Sequence, residues 1–189
     1  MSLRDHYDHL VTTEASWNLS TSRPPVPLLD PQVLDAHRLV DGGGLPPSYG
    51  SFVRAFGWGR LFGLWLVYTP VPSGRADGLL GRGGALTTRL REEFREWQQE
   101  GYNWAIDPDG SWDLPSRLEV FAMSENGDYL AWDTGSRDAE GELAIYLTSR
   151  FTSLTRIGDD LHEVVERLRP QDAGAEPGAD FEPLEPVLL

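Results

Sequence analysis

The chain has 189 residues, a length that suits one domain with additional segments. It contains no cysteine, which excludes a disulfide framework and a thiolate metal site. Its formal net charge is −14. All 16 basic residues are arginine, so the chain contains no lysine. Such a charge opposes binding to nucleic acid or to an anionic membrane and favours a basic protein partner, although acidity also serves solubility alone. With neither a signal peptide nor an apolar run of roughly 18 residues, the sequence predicts a cytoplasmic protein.

The first part of the chain predicts a helix followed by an extended connector, together spanning residues 1–31. Its apolar residues at helical spacing are Leu3, Tyr7, Leu10 and Val11. Several prolines then interrupt any helix. A second helix is expected from about Gln32 to Val40, between Asp30-Pro31 and a run of three glycines.

The most informative stretch follows at residues 44–59. Pro46 and Pro47 suit the first turn of a helix, where a missing N–H costs nothing. Gly57 suits its end, because glycine adopts the left-handed conformation without steric cost. The apolar residues between them at i, i+3, i+4 and i+7 are Tyr49, Phe52, Val53 and Phe56. The next apolar segment, Leu61–Thr69, predicts a single buried strand.

The second half of the chain alternates helical and strand patterns. A helix is predicted over Leu86–Gln99, followed by an acidic, aromatic loop over residues 101–116. The dipeptide Asn126-Gly127 indicates a hairpin, since both residue types tolerate positive φ. The elements expected around and after it are the strands Leu118–Ser124, Tyr129–Trp132 and Glu142–Thr148 and a helix over Asp159–Arg169.

These elements together predict an α+β fold with a mainly antiparallel sheet and helices packed against it, because strands cluster along the chain and are joined by a hairpin. The strand Leu61–Thr69 and the hairpin are expected to share one face against the helices at Tyr49 and Leu161. Residues 170–189 contain five acidic residues, four prolines and no basic residue, which predicts a disordered tail.

The order of these motifs resembles the SMI1/KNR4, or SUKH, superfamily. The similar features are the leucine-proline helix at Leu45-Pro46, the strand after Gly57 and Gly59, and the segment Gly127-Asp128-Tyr129-Leu130-Ala131-Trp132-Asp133 before a closing amphipathic helix. The resemblance covers residues 32–169, and residues 70–116 form a long insertion relative to the family pattern. It implies a non-enzymatic, protein-binding immunity protein that neutralises a cognate toxin, often a nuclease, of a bacterial polymorphic toxin system. The alternative is an intracellular scaffold or regulatory adaptor, as some relatives are.

Other motifs offer chemistry that the sequence supports less well. Asp133-Thr134-Gly135-Ser136 matches the active-site string of aspartic proteases, but that chemistry requires two carboxylates that share a proton, and the string occurs once. The acidic run Asp107–Asp113 has the oxygen-rich character of a calcium loop without its glycine and glutamate positions. His6, Asp8 and His9 are a weak metal-ligand group. We therefore predict no catalytic residue, no cofactor and no metal.

The acidic, aromatic loop is the predicted surface for a basic protein partner. Aromatic side chains within an acidic rim are typical of protein-binding patches. The alternative is that these side chains fold back and cover the sheet. The predicted contact residues, from the loop and from the hairpin turn, are Tyr102, Trp104, Asp107, Asp109, Trp112, Asp113, Glu125 and Asp128.

Overall fold

The computed structural model describes residues 17–22, 29, 31–71, 78–170 and 179–185. Within these ranges the chain forms a seven-stranded sheet in which all neighbouring strands are antiparallel, in the order β6-β5-β4-β3-β2-β1-β7. The predicted α+β fold is therefore confirmed. The strands are β1 Gly59–Leu61, β2 Trp65–Val67, β3 Leu118–Ser124, β4 Asp128–Asp133, β5 Ile145–Ser149, β6 Thr155–Gly158 and β7 Phe181–Pro183.

Helices cover both faces of this sheet. In the described part of the chain they are α1 Pro31–Ala36, α2 Pro47–Phe56, α3 Gly84–Glu100 and α4 Leu161–Leu168. Trp132 contacts Tyr49 of α2, whereas Tyr129 stacks on Phe151, whose carbonyl accepts a hydrogen bond from Trp97 of α3. Tyr129 and Trp132 are three positions apart in β4 and so point to opposite faces. None of the described helices is both long and apolar enough to cross a lipid bilayer.

The helix predicted between Pro46 and Gly57 is present as α2. Pro47 is its first residue, and Gly57 follows it with φ of +67° and donates its N–H to the carbonyl of Val53. The whole apolar stripe of this helix is buried, and the hydroxyl of Tyr49 donates to the carbonyl of Tyr68 across the core. Burial raises the pKa of Tyr49 well above its ordinary value, which keeps the phenol neutral.

The prediction of one strand over Leu61–Thr69 is wrong. The chain reverses after Leu61, and β1 and β2 pair as a tight hairpin in which Leu61 lies opposite Trp65. Phe62 and Gly63 occupy the turn with φ of +51° and +66°. The Leu64 N–H donates to the Leu61 carbonyl at 3.1 Å and closes a turn over residues 61–64. Positive φ at both central positions of this turn matches the right-handed twist of the paired strands. Gly63 was the only residue in the sequence that indicated a turn here. Phe62 did not indicate one, because a bulky residue rarely adopts positive φ.

Other element bounds differ more modestly from the sequence prediction. The helix expected over Gln32–Val40 is the six-residue α1, and α3 is preceded by a π-helical turn at Leu79–Gly83. The β3–β4 turn contains Asn126-Gly127 as predicted, although only Gly127 of the two has positive φ. The strand β6 was not predicted. The closing helix α4 begins after Asp160, whose carboxylate accepts the Glu163 N–H.

The prediction of a disordered tail is wrong for residues 179–185. Phe181 is fully buried, and β7 pairs with β1 along its length. Phe181 also pairs with the segment 19–22, since it donates its N–H to the Ser20 carbonyl and accepts the Ser22 N–H. The Asp180 carboxylate accepts the Ser20 N–H at 2.8 Å. Segments from both ends of the chain therefore close one edge of the sheet.

Aromatic rings fill the space between α2 and these two segments. Phe181 contacts Phe52 and Phe56 at 5.8 Å and 5.1 Å between ring centroids. Trp17 contacts Phe52 from the other side at 5.2 Å and stacks on His162 of α4 at 3.6 Å. The predicted N-terminal helix at Leu3–Val11 lies outside the described residues.

We expect Phe52→Ala to lower the free energy of unfolding by about 3–5 kcal/mol, because a fully buried ring leaves a cavity among other rings. Urea unfolding followed by tryptophan fluorescence measures this change. Leu80→Ala is the matched control, since Leu80 is 59% exposed and should change stability by less than about 0.5 kcal/mol. Equal effects of the two substitutions would contradict the assigned core.

We also expect truncation after Pro170 to destabilise the fold, because it removes β7 and Phe181. For a chain of this size each kcal/mol corresponds to about 2–4 °C in melting temperature, so Phe181→Ala alone should lower it by roughly 10 °C. Glu182→Ala, at the exposed neighbouring position, should cost less than about 1 kcal/mol through its ion pair with Arg60. An unchanged melting temperature after truncation would restore the prediction of a dispensable tail.

Candidate functional site

Exposed aromatic side chains distinguish one end of the sheet. Tyr102 and Trp104 are 41% and 49% exposed, and their rings stack with centroids 5.7 Å apart. Trp97, in the last turn of α3, lies beneath them at 5.7 Å from Tyr102 and 5.8 Å from Trp104. The Trp97 indole N–H donates to the Phe151 carbonyl at 3.0 Å and so holds the ring in place. We call Trp97, Tyr102 and Trp104 the aromatic patch.

By their helical spacing Leu86, Leu90, Phe94 and Trp97 form one apolar stripe of α3, which predicts that all four are buried, but only part of this stripe is buried. Leu86, Leu90 and Phe94 are buried, whereas Trp97 is half-buried and contributes to the surface. Its position at the end of the helix, three residues before Glu100, was the available signal. A stripe residue in the last turn has no following turn to cover it.

Trp112 does not belong to the aromatic patch. It is half-buried against the core, and its indole N–H donates to the Asn103 side-chain carbonyl at 3.2 Å. This residue therefore supports the alternative prediction, in which part of the loop folds back onto the domain. Its hydrogen bond fixes the loop to the short 3₁₀ turn Asn103–Ile106 that carries Trp104.

Asp107 and Asp109 lie beside the edge strand β6. Asp109 donates its backbone N–H to the Leu154 carbonyl, and the Leu154 N–H donates to the Asp107 carbonyl. The Asp109 carboxylate also accepts the Arg156 N–H at 3.0 Å. The loop thereby occupies hydrogen-bonding groups that an edge strand would otherwise present to another chain. The Asp107 carboxylate has no partner among the described residues.

Asp113 forms an ion pair with Arg117 at the end of the sheet where β3 begins and β4 ends, opposite the β3–β4 turn. Arg117 donates to the carboxylates of both Asp113 and Asp133, with the Nε of Arg117 2.9 Å from Asp133. Hydrogen bonds from Ser111 and Arg117 lower the pKa of Asp113. The hydrogen bond to Asp133, together with that to Asp113, raises the pKa of Arg117.

The ion pair between Arg117 and Asp133 also gives the segment Asp133-Thr134-Gly135-Ser136 a structural role. The Asp133 carboxylate accepts the Gly135 N–H at 2.9 Å, and Thr134 donates its hydroxyl to the Arg117 carbonyl. A Cβ at Gly135 would lie 2.6 Å from the Arg117 side chain, so the glycine permits this close approach. Asp133 is thus held by a guanidinium, which differs from the proton-sharing carboxylate pair of an aspartic protease.

Glu125 and Asp128 lie at the β3–β4 turn, each with an internal partner. Glu125 forms an ion pair with Arg60 at 2.7 Å, and Asp128 accepts the Ser149 hydroxyl at 2.7 Å. The turn also contacts the β5–β6 connection, because Arg150 donates its N–H to the Gly127 carbonyl.

The structure therefore divides the predicted contact residues between two ends of the sheet. The β3–β4 turn, the β5–β6 connection and the aromatic patch lie at one end, joined through Phe151 and Trp97. Asp113 lies at the other end, where Arg117 links it to Asp133 at the end of β4.

The described ranges contain no cluster of three or more His, Asp or Glu side chains suited to a metal ion. Within the acidic run Asp107–Asp113, the Asp109 and Asp113 carboxylates point to different partners, Arg156 and Arg117. His6, Asp8 and His9 lie outside the described residues.

We expect Asp109→Ala to speed hydrogen exchange at the Arg156 amide by about tenfold and to cost about 1 kcal/mol of stability, since it removes the acceptor at the sheet edge. Asp107→Ala is the control, as it removes one charge from the same loop without removing a described side-chain hydrogen bond. Native-state exchange followed by NMR measures both. Equal exchange rates in the two variants would show that Asp109 does not protect the edge.

No protein-family model matches this chain, and no curated protein or solved structure matches it either. The resemblance to the SUKH superfamily therefore stays a prediction from the sequence motifs.

Proposed function

We propose that this chain is a non-enzymatic protein-binding domain that acts in the cytoplasm as an immunity protein and neutralises a basic toxin such as a nuclease. The observation that carries the proposal is the aromatic patch, in which Tyr102 and Trp104 stack on Trp97 while remaining 41% and 49% exposed. The motif resemblance to the SUKH superfamily supplies the toxin-neutralising role, and the patch supplies a surface for it.

The patch has the properties of a binding hot spot. Tryptophan and tyrosine provide large apolar area with few rotatable bonds, and they are enriched among residues that dominate binding energy. The hydrogen bond from Trp97 to Phe151 holds the supporting ring, so little conformational entropy remains to be lost on binding. Rings exposed in this fixed arrangement have no evident role in the core.

Electrostatics favour a basic partner at this patch. The 17-residue helix α3 ends at Glu100, immediately before Gly101 and Tyr102, and its last turn contains no basic residue. The negative end of the helix dipole therefore points toward the patch, where Glu100 adds a full negative charge. Glu93 and Glu100 share the helical face of Trp97 by their i−4 and i+3 spacing. Asp107 adds a carboxylate three residues after Trp104.

A basic partner would gain in association rate from this arrangement. The formal net charge of −14 attracts a cationic protein at long range, and the patch then provides short-range contacts. A toxin that acts on nucleic acid has a basic active-site cleft by necessity, since it must bind phosphates. An acidic surface with aromatic anchors is complementary to such a cleft.

The test begins with capture of a basic partner from the source cell and proceeds to binding rates for the purified pair. Trp104→Ala should raise the dissociation rate constant by about tenfold or more, because it removes a central aromatic anchor. The control Leu80→Ala truncates another exposed apolar side chain, one that is outside the patch, and should leave the rate unchanged. Surface plasmon resonance gives both rate constants.

The charge contribution has its own matched pair of variants. Asp107→Asn should lower the association rate constant about twofold, whereas Glu140→Gln, which removes the same charge before β5 at the far end of the sheet, should not. The difference should vanish between 0.1 M and 1 M salt, as the screening length falls from about 10 Å to about 3 Å.

Three outcomes would contradict the proposal. A partner that is acidic or is nucleic acid would refute the electrostatic argument. A partner bound equally well by the Trp104→Ala variant would place the interface elsewhere. A basic partner without toxic activity would favour the regulatory adaptor instead, and co-expression with the captured protein in a growth assay distinguishes these two roles.

A further inference from the structure

A small cleft lies between helix α3 and the loop that carries Trp112. Its volume is about 180 Å³. Since a water molecule occupies about 30 Å³ in the liquid, the cleft has room for roughly six waters or one small organic group. Its lining residues are Arg91, Phe94, Arg95, Gln98, Trp112, Pro115 and Ser116.

The helix forms one wall of this cleft. Arg91, Arg95 and Gln98 follow one another at i, i+4 and i+7, which places them along one helical face. Buried Phe94 and Pro115 contribute an apolar surface. Trp112 forms part of the opposite wall, where its hydrogen bond to Asn103 fixes the orientation of the indole.

The charge of this cleft is opposite to that of the protein. Arg95 has no hydrogen bond or ion pair with any described residue. Arg91 donates one hydrogen bond, from a terminal nitrogen to the Leu118 carbonyl at 3.0 Å, and its Nε–H is buried with no acceptor in the described part of the chain. By contrast, eight other arginines form ion pairs, namely Arg54, Arg60, Arg89, Arg117, Arg137, Arg156, Arg167 and Arg169.

This contrast is informative because acidic residues outnumber basic residues by 30 to 16 in this chain. Eight of the 13 described arginines form an ion pair with a carboxylate of the protein itself. Arg91 and Arg95 do not, and they differ from the other arginines without an ion pair, Arg38, Arg82 and Arg150, because they line the same cleft. Guanidinium groups bind carboxylates through paired, charge-assisted hydrogen bonds.

We propose that this cleft binds a carboxylate carried on a short apolar stem, such as a small aromatic acid or the C-terminal residue of a peptide. Arg95 and Arg91 bind the carboxylate, and the stem packs against Phe94, Pro115 and Trp112. The apolar part of the lining favours a carboxylic acid with an apolar stem over inorganic phosphate. This inference does not depend on the identity of the protein partner.

The test is an NMR titration of the ¹⁵N-labelled full chain with 3-phenylpropionate in a chloride buffer free of carboxylates. We expect shifts at the Trp112 indole N–H and at the Arg95 and Gln98 amides, with a dissociation constant on the order of 1 mM for a ligand of this size. Arg95→Gln should weaken binding at least about tenfold. Arg89→Gln, on the same helix but outside the cleft, should leave it unchanged.

Further ligands establish the chemistry that is recognised. The neutral amide 3-phenylpropionamide and inorganic phosphate should each bind at least about tenfold more weakly than the acid. A tetrapeptide ending in phenylalanine, compared with its C-terminal amide, distinguishes a peptide source from a free acid, and preference for the free carboxylate in either ligand supports the proposal. Equal binding of the amide, tighter binding of phosphate, no shift at Trp112, or an equal loss in the Arg89→Gln variant would overturn it.

Discussion

Packing of Phe181 against Phe52 and Phe56 connects the end of the chain to the centre of the domain. The strands β1 and β2 have three residues each, too few to be stable as an isolated hairpin. Each buried aromatic ring removes about 150–250 Å² from water, which corresponds to about 4–6 kcal/mol of transfer free energy. The short hairpin, the helix α2 and both terminal segments therefore stabilise one another as a single unit.

The two edges of the sheet are closed by the same physical device. On one side the segment 19–22 pairs with β7, and the Asp180 carboxylate accepts the Ser20 N–H. On the other side residues 107–109 pair with Leu154, and the Asp109 carboxylate accepts the Arg156 N–H. An exposed edge would present free N–H and C=O groups to other chains, and these carboxylates occupy some of the edge N–H groups. A partner that adds a strand would first have to displace one of these segments.

The sequence was sufficient wherever the determinants were local. The helix α2 was predictable because Pro47 and Gly57 mark its ends and its apolar residues follow one period. The tail was mispredicted because one buried residue, Phe181, outweighs an acidic and proline-rich composition, and nothing near it in sequence reveals its distant partners. The partners of the acidic loop residues were not predictable, since Asp109 and Asp113 are held by Arg156 and Arg117, which a pattern of spacing does not identify.

Helix α3 carries two surfaces of opposite character. Its last turn and the residues after it form the acidic aromatic patch, while Arg91 and Arg95 form a basic cleft on a different face. The two surfaces meet at a hydrogen bond, because Asn103 lies between Tyr102 and Trp104 and accepts the Trp112 indole N–H at 3.2 Å. Because Trp112 lines the cleft, this hydrogen bond connects a wall of the cleft to the turn that carries Trp104. The separation of charge along one helix thus keeps the two surfaces distinct, while the hydrogen bonds from Trp112 to Asn103 and from Gly110 to Ile106 join the loops that complete them.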